Sequence, residues 1–294
     1  MIDLALVGGS FLVAIVVGLT GMGGGALMTP MMMLFFNVPP LAAVSSDLVA
    51  SAVMKPVGGF VHLRRGTVNL RLVGWLCAGS VPAAFCGVFL ARAFAVSDAV
   101  KYALGVALLL AVAGIAVKAL LGGRGGTASA HDIVVRPIPT LLVGMVGGLV
   151  VGVSSVGSGS LIIVALLALY PALKANQLVG TDLVQAVPLV AAAALGHLLF
   201  GDFQLHLTVS LLIGSLPGVY LGARISSRAP GGLIRALLAI VLLASALKLL
   251  DAGNAVTVGA LAAATAVIVA GWRVRRRRAA GPAEPDAAMS SAAR

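Results

Sequence analysis

The chain repeats itself inside a sequence apolar enough for a membrane. Gly18-Leu-Thr-Gly-Met-Gly-Gly-Gly-Ala-Leu27 is echoed about 135 residues later by Gly152-Val-Ser-Ser-Val-Gly-Ser-Gly-Ser-Leu161. Ser46-Asp47-Leu48-Val49 returns as Thr181-Asp182-Leu183-Val184. His62, Gly66, Leu70, Leu72, Gly79, Ser80, Pro82 and Gly87 return as His197, Gly201, Leu205, Leu207, Gly214, Ser215, Pro217 and Gly222. Paired, Gly-interrupted apolar segments in two halves of one chain point to a secondary transporter, and the interruptions point to its binding site.

Composition narrows the fold class. With 60% hydrophobic and 10% charged residues in 294, the chain is too apolar for a water-soluble domain around one core. Backbone polar groups in lipid must be satisfied within their own segment, so the recurrent apolar stretches near 20 residues long are helices. The alternating ten-residue strands of a membrane barrel are absent. The expected fold is therefore all-α and polytopic: two internal repeats, inverted, each of five helical segments, plus an extra C-terminal helix. The second segment of each repeat is short, spanning 23–37 and 157–170. Some 14 residues of helix cover roughly 21 Å, less than the hydrocarbon core, so these segments either cross as half-helices or re-enter.

The expected organisation is a first transmembrane repeat over 1–121, a linker over 122–136, a second repeat over 137–250, an extra helix over 251–272 and a disordered basic tail over 273–294. The first segment lacks a basic leader and a cleavage site, and reads as a retained helix. The net charge of +11 sits in short loops and in the run Arg273-Val-Arg-Arg-Arg-Arg278, a positive-inside pattern rather than a nucleic-acid surface. It places the C-terminus in the cytoplasm of a cytoplasmic (inner) membrane protein and the Lys248–Asn254 loop outside. The His197–His206 loop then lies outside and the basic His62–Arg71 loop inside. Matching loops on opposite faces are what inverted repeats of five crossings produce; the Arg92–Lys101 loop, left outside with two basic residues, strains that count. Cys77 and Cys86 lie on one helix, too far apart along it to bridge. No metal-ligand spacing and no cofactor motif occurs.

The candidate substrate site gathers around the Gly-rich turns. Thr20, Gly23, Gly24 and Gly25 open one short helix; Ser154, Ser155, Ser158 and Ser160 precede the other. A helix N-terminus offers free N–H groups and partial positive charge to an anion, and glycine lets backbone approach it. The competing reading is that small residues merely allow close helix packing. Lys55 sits mid-segment, where a charge costs roughly 3 kcal/mol, so it faces either a wet anion site or Asp47 as a structural partner. Asp47 and Asp182 are read either as helix N-caps or as ion-coupling carboxylates for protons or sodium. Gln185 is a candidate neutral donor to a bound oxyanion. His62 and His197 read as interfacial residues at helix ends, and Pro56, Pro188, Pro82 and Pro217 as kinks.

These motifs, from the first helix running into Gly18-Leu-Thr-Gly-Met-Gly-Gly-Gly25 with Pro30 after it, through Ser46-Asp47-Leu48 and the His62–Gly66 loop, to Gly180-Thr-Asp-Leu183, resemble the sulfite exporter TauE/SafE family of permeases over nearly the whole chain to about Leu250. The resemblance implies transport of sulfite, an organosulfonate or a related sulfur-containing anion. The extra C-terminal helix and basic tail depart from it. No general base accompanies Ser154 or Ser155, so the chain does not read as an enzyme. A membrane enzyme acting on a lipid phosphate and a membrane assembly factor without substrate stay open as alternatives.

Overall fold

The computed structural model describes residues 3–20, 24–64, 66, 68–94, 98–121, 133–159, 161–173, 175–226 and 231–279. Among them the chain is all-helical: α1 Leu4–Thr20, α2 Gly25–Phe35, α3 Pro40–Arg64, α4 Leu70–Ala93, α5 Ala99–Leu121, α6 Pro137–Ser154, α7 Leu161–Leu169, α8 Ala175–Phe200, α9 Leu205–Ser226, α10 Gly231–Leu249 and α11 Asn254–Ala279. Six of these, α4, α5, α6, α8, α9 and α11, contain spans long and apolar enough to cross a membrane. Helix α3 is as long but carries Ser45, Ser46, Asp47, Ser51 and Lys55; the first four are buried in the bundle, while Val53, Phe60 and Leu63 further along are exposed. Most of the linker expected over 122–136, and the chain after 279, lie outside the described residues.

Local chemistry sets several helix ends. Asp3 Oδ1 accepts from the N–H groups of Ala5 (2.9 Å) and Leu6 (3.2 Å) and caps α1. Asn69 caps α4 through the Leu72 N–H at 2.9 Å. Pro137 opens α6 where its missing N–H costs nothing. The same helix stops at Ser155, whose left-handed backbone (φ 60°) returns its N–H to the Val151 carbonyl at 2.8 Å. Pro56, Pro82, Pro188 and Pro217 all lie inside continuous helices.

Residues 1–252 form one compact unit and 253–294 a second. In the first, α1 packs on α9, α4 on α6, α3 on α8 and α5 on α10. Exchanging α1–α5 for α6–α10 maps these pairs onto themselves; α3·α9 likewise answers α4·α8, and α2·α10 answers α5·α7. The two tightest seams are made of small residues spaced four apart. On α6, a side chain at Gly144, Gly148 or Gly152 would overlap the backbone of Leu76, Ser80 or Ala84 on α4. On α9, Gly214, Gly218 and Gly222 stand in the same way against Val7, Phe11 and Ile15 of α1. Large apolar side chains such as Leu12, Ile138, Val146, Tyr220 and Val241 remain exposed around the unit, as lipid contact requires.

The short helices double back. The end of α2 returns alongside α1, since Met31 and Phe36 pack over Gly9. Along α3, Gly24 lies near Met54 and Thr29 beside Asp47, so α2 runs antiparallel to it from mid-helix to its start. That end of the bundle also gathers the starts of α1 and α9, joined by Asp3 N to Ser210 Oγ at 3.1 Å, and the start of α3 with the end of α8. Lys101 at the start of α5 pairs with Asp251 after α10 at 2.7 and 2.8 Å, and Tyr102 donates to the same carboxylate at 3.0 Å. The α4–α5 connection and the segment after α10 therefore share one end.

In the second unit, α11 is apolar from Asn254 to Gly271, and its helix continues through the arginine run to Ala279. The expected boundary at 272 between helix and basic tail therefore falls inside a continuous helix.

Candidate functional site

The two Gly-rich interruptions meet. Gly25, the first residue of α2, lies directly against Ser155, the residue that ends α6; a Cβ at Gly25 would overlap the Ser155 carbonyl oxygen and stand 2.6 Å from its Oγ. Only glycine allows that approach. The second interruption depends on glycine for its backbone as well, with φ of 123° at Gly157 and 102° at Gly159. In each turn, a glycine carbonyl takes up the first helical N–H groups: Gly24 O accepts from Leu27 and Met28, and Gly157 O from Leu161. A ligand at these helix ends would be met by the N–H groups that precede Leu27 and Leu161.

Around this junction lie the polar residues of α3. Asp47 is buried, and its Oδ2 accepts from the Ser155 hydroxyl and, at 3.1 Å, from Thr29 of α2. Its Oδ1 is buried with no hydrogen-bond partner. Lys55 lies two turns further along α3, and its Nζ donates to the hydroxyl of Ser158 in the second turn. The structural alternative for Lys55, a pairing with Asp47 along one helix, gives way to a reach across to the other half of the chain. Asp182 lies on α8 beside the place where Leu183 and Val184 pack on Gly59, one turn beyond Lys55. One cation, two carboxylates and two broken-helix turns are thus gathered in one part of the bundle.

Neither aspartate is an N-cap, because α3 begins at Pro40 and α8 at Ala175, well before Asp47 and Asp182. The capping reading fails because each helix starts two turns earlier than the Ser/Thr-Asp pair suggests. Gln185, one turn beyond Asp182, is fully buried; its Nε2 donates to Ser80 Oγ on α4 at 2.7 Å, while its Oε1 has no partner. Ser215, the counterpart of Ser80, is buried and unpartnered, since Ala50 stands where the second half has Gln185. Gly24, Gly25, Ser155 and Ser158 all lie at the junction, whereas the Ser154 hydroxyl bonds its own chain, donating to Val150 O at 2.7 Å. Thr20 ends α1 with its side chain outside the description, and Gly23 and Ser160 lie outside the described residues.

The reading of His197 as an interfacial residue is overturned. It is fully buried, with Nδ1 2.8 Å from Ser45 Oγ and Nε2 2.8 Å from the Gly152 carbonyl oxygen. The helix packing of α3, α6 and α8 encloses a residue that its sequence position, near a helix end, places at a boundary. Thr29 was also beyond reach of the sequence reading: it has no polar counterpart in the second half, so the duplication does not flag it.

The family model for sulfite exporter TauE/SafE matches residues 6–249, the span of α1–α10. The chain belongs to the sulfite exporter TauE/SafE family. Among relatives of this TauE/SafE member is the probable membrane transporter protein YjnA of Bacillus subtilis (strain 168), 36% identical over 245 residues, covering 81% of this chain and 96% of that protein. The probable membrane transporter protein YdhB of the same organism is 24% identical over 221 residues, covering 75% and 89%. YunE, also named a probable membrane transporter protein, is 39% identical over 79 residues, about a quarter of each chain. No solved structure matches. The chain is a multi-pass membrane protein of a transporter family, and α11 lies beyond the region that the family model matches.

Proposed function

We propose that this protein is a secondary transporter for a small anion, sulfite, an organosulfonate or a related sulfur-containing anion, in the cytoplasmic membrane. The observation that carries the proposal is the reach of Lys55 across the Gly25–Ser155 junction to Ser158. A half-buried lysine whose ammonium is held by a neutral hydroxyl, beside two helix starts, keeps its charge available to an incoming oxyanion. The anion replaces that hydroxyl contact, held by Lys55, by backbone N–H groups at Gly23–Gly25, and by hydroxyls of Thr20, Ser154, Ser155, Ser158 and Ser160, with Gln185 as a further neutral donor. Asp47 and Asp182 couple the movement to protons or sodium.

Two repeats, inverted, rock about this junction to alternate access. The exchange symmetry of the helix pairs supports the repeats. Sharing of one end by Lys101 and Asp251 supports an odd number of passages per repeat, because an even number puts those two connections on opposite faces. With the arginine run of α11 in the cytoplasm, that shared end is external.

The test is counterflow by the purified protein in proteoliposomes, comparing sulfite, sulfoacetate, taurine and sulfate with a carboxylate control. We expect saturable exchange of a sulfur anion that disappears in Lys55→Met while the protein stays folded. Wild-type rates in that variant would sink the role of Lys55. Exchange of no anion by the wild type would sink the transport reading.

A further inference from the structure

Gly152 O, which His197 engages, is among the last carbonyls of α6, which have no partner within their own helix. A carbonyl oxygen only accepts, so Nε2 of His197 carries the hydrogen and caps the helix end. On its other side, Nδ1 meets Ser45, two positions before Asp47. Ser45 Oγ is also 2.7 Å from Leu41 O and takes the Asp202 N–H at 3.3 Å, so the hydroxyl is anchored at the start of α3 and at the α8–α9 connection. From α8, the imidazole thus joins the end of α6 to α3. Those are the two elements that the Ser155–Asp47 hydrogen bond joins three residues further along α6.

The bridge is not a copied feature of the duplication, because Gly180 stands where Ser45 stands and offers no hydroxyl. A small residue is also required beside it, since a Cβ at Gly201 would stand 2.7 Å from Ser45 Oγ and 2.8 Å from His197 Nδ1.

We infer that His197 is the positioning residue of the anion site: by capping Gly152 and holding Ser45, it fixes the Ser154–Gly159 turn against Asp47 and Lys55. The inference rests on the transport reading for its consequence, but not for its geometry. A substrate never touches the imidazole. Its effect reaches the site through the backbone of α6, so it governs how well the turn is formed before an anion arrives.

Hydrogen–deuterium exchange on the full-length detergent-purified protein, run beside the counterflow assay, tests the assignment. His197→Ala should speed exchange of the backbone amides in 152–159 by roughly tenfold, the loss expected for a buried hydrogen-bonded cap. Exchange in α10, which packs on α5, α1 and α2 rather than on the helices the strut joins, should stay at wild-type rates. His197→Gln, able to donate to Gly152 O and to accept from Ser45, should restore protection to within about threefold, and Ser45→Ala should give an intermediate loss. In counterflow, His197→Ala should raise the half-saturating anion concentration more than it lowers the maximal rate. Wild-type protection of 152–159 in His197→Ala, or a Gln variant as unprotected as the Ala variant, overturns the inference. If His197→Ala does not fold, Ser45→Ala decides: unchanged protection there overturns it. Wild-type protein that moves no anion refutes the transport reading alone, because the exchange pattern still reports on the strut.

Discussion

Replacing Gly25 by alanine isolates the contact between the two interruptions. The new methyl would overlap the Ser155 carbonyl oxygen and stand 2.6 Å from Ser155 Oγ, where ordinary contact begins at 3.4 Å. Its neighbours are backbone and a hydroxyl committed to Asp47, so no flexible side-chain end is available to swing aside. Overpacking of this kind costs about 1–3 kcal/mol. Separating the turns also strips a donor from a buried carboxylate, worth about 1–3 kcal/mol more. Against this, alanine gains at most about 1 kcal/mol of helix propensity over glycine. The net effect is destabilising by roughly 1–5 kcal/mol. Gly74→Ala, where a Cβ meets nothing within 4 Å, is the matched control and should be neutral or slightly stabilising. Thermal unfolding in detergent measures both, with anion counterflow run in parallel. A Gly25→Ala protein that melts at or above the wild type and exchanges anion at the wild-type rate would refute the argument that the turns must touch.

Three further outcomes follow from the same contacts. Asp47→Asn keeps an acceptor for Ser155 and Thr29 and places an amide where Oδ1 has no partner, so it should fold normally while anion exchange stops responding to an imposed proton or sodium gradient. Gly148→Ala, on the α4–α6 seam, should lower the unfolding midpoint, by about 1–3 kcal/mol in stability, because the obstacle is the Ser80 backbone; a midpoint equal to that of Gly74→Ala would remove the packing argument. At the exposed cluster after α10, Lys101 and then Tyr102 hold the Asp251 carboxyl below its usual range. A depressed folded-state value contributes stability above the unfolded value near 3.9 and loses it as pH falls through the folded value. Asp251→Asn should therefore flatten the acid limb of the stability curve below about pH 4, and an unchanged limb would show the pair to be inert.

Much of the architecture was legible because lipid leaves the backbone few options: apolar stretches near 20 residues long become helices whatever surrounds them. The duplication also marked glycines whose importance is steric, and Gly79, Gly87, Gly214 and Gly222 all lie on the two small-residue seams. What the duplication could not express is asymmetry. Thr29, Gln185 and the Ser45 hydroxyl that meets His197 have no like residue at the matching position of the other half, and their partners come from other helices.

The sequence by itself determined that the chain is a bundle of membrane helices broken twice by glycine, because hydropathy and backbone freedom are local properties. Only the tertiary structure decided which polar groups meet. Lys55 could reach Asp47 along its own helix or Ser158 across the bundle, and local spacing permits either. Packing of α2 and α6 against α3 selects the second, since Gly25 lets the turns close on one another and brings Ser155 to Asp47. Burial of His197 is likewise a decision of three helices together, because exposure near a helix end depends on what lies beside it rather than on where the helix stops.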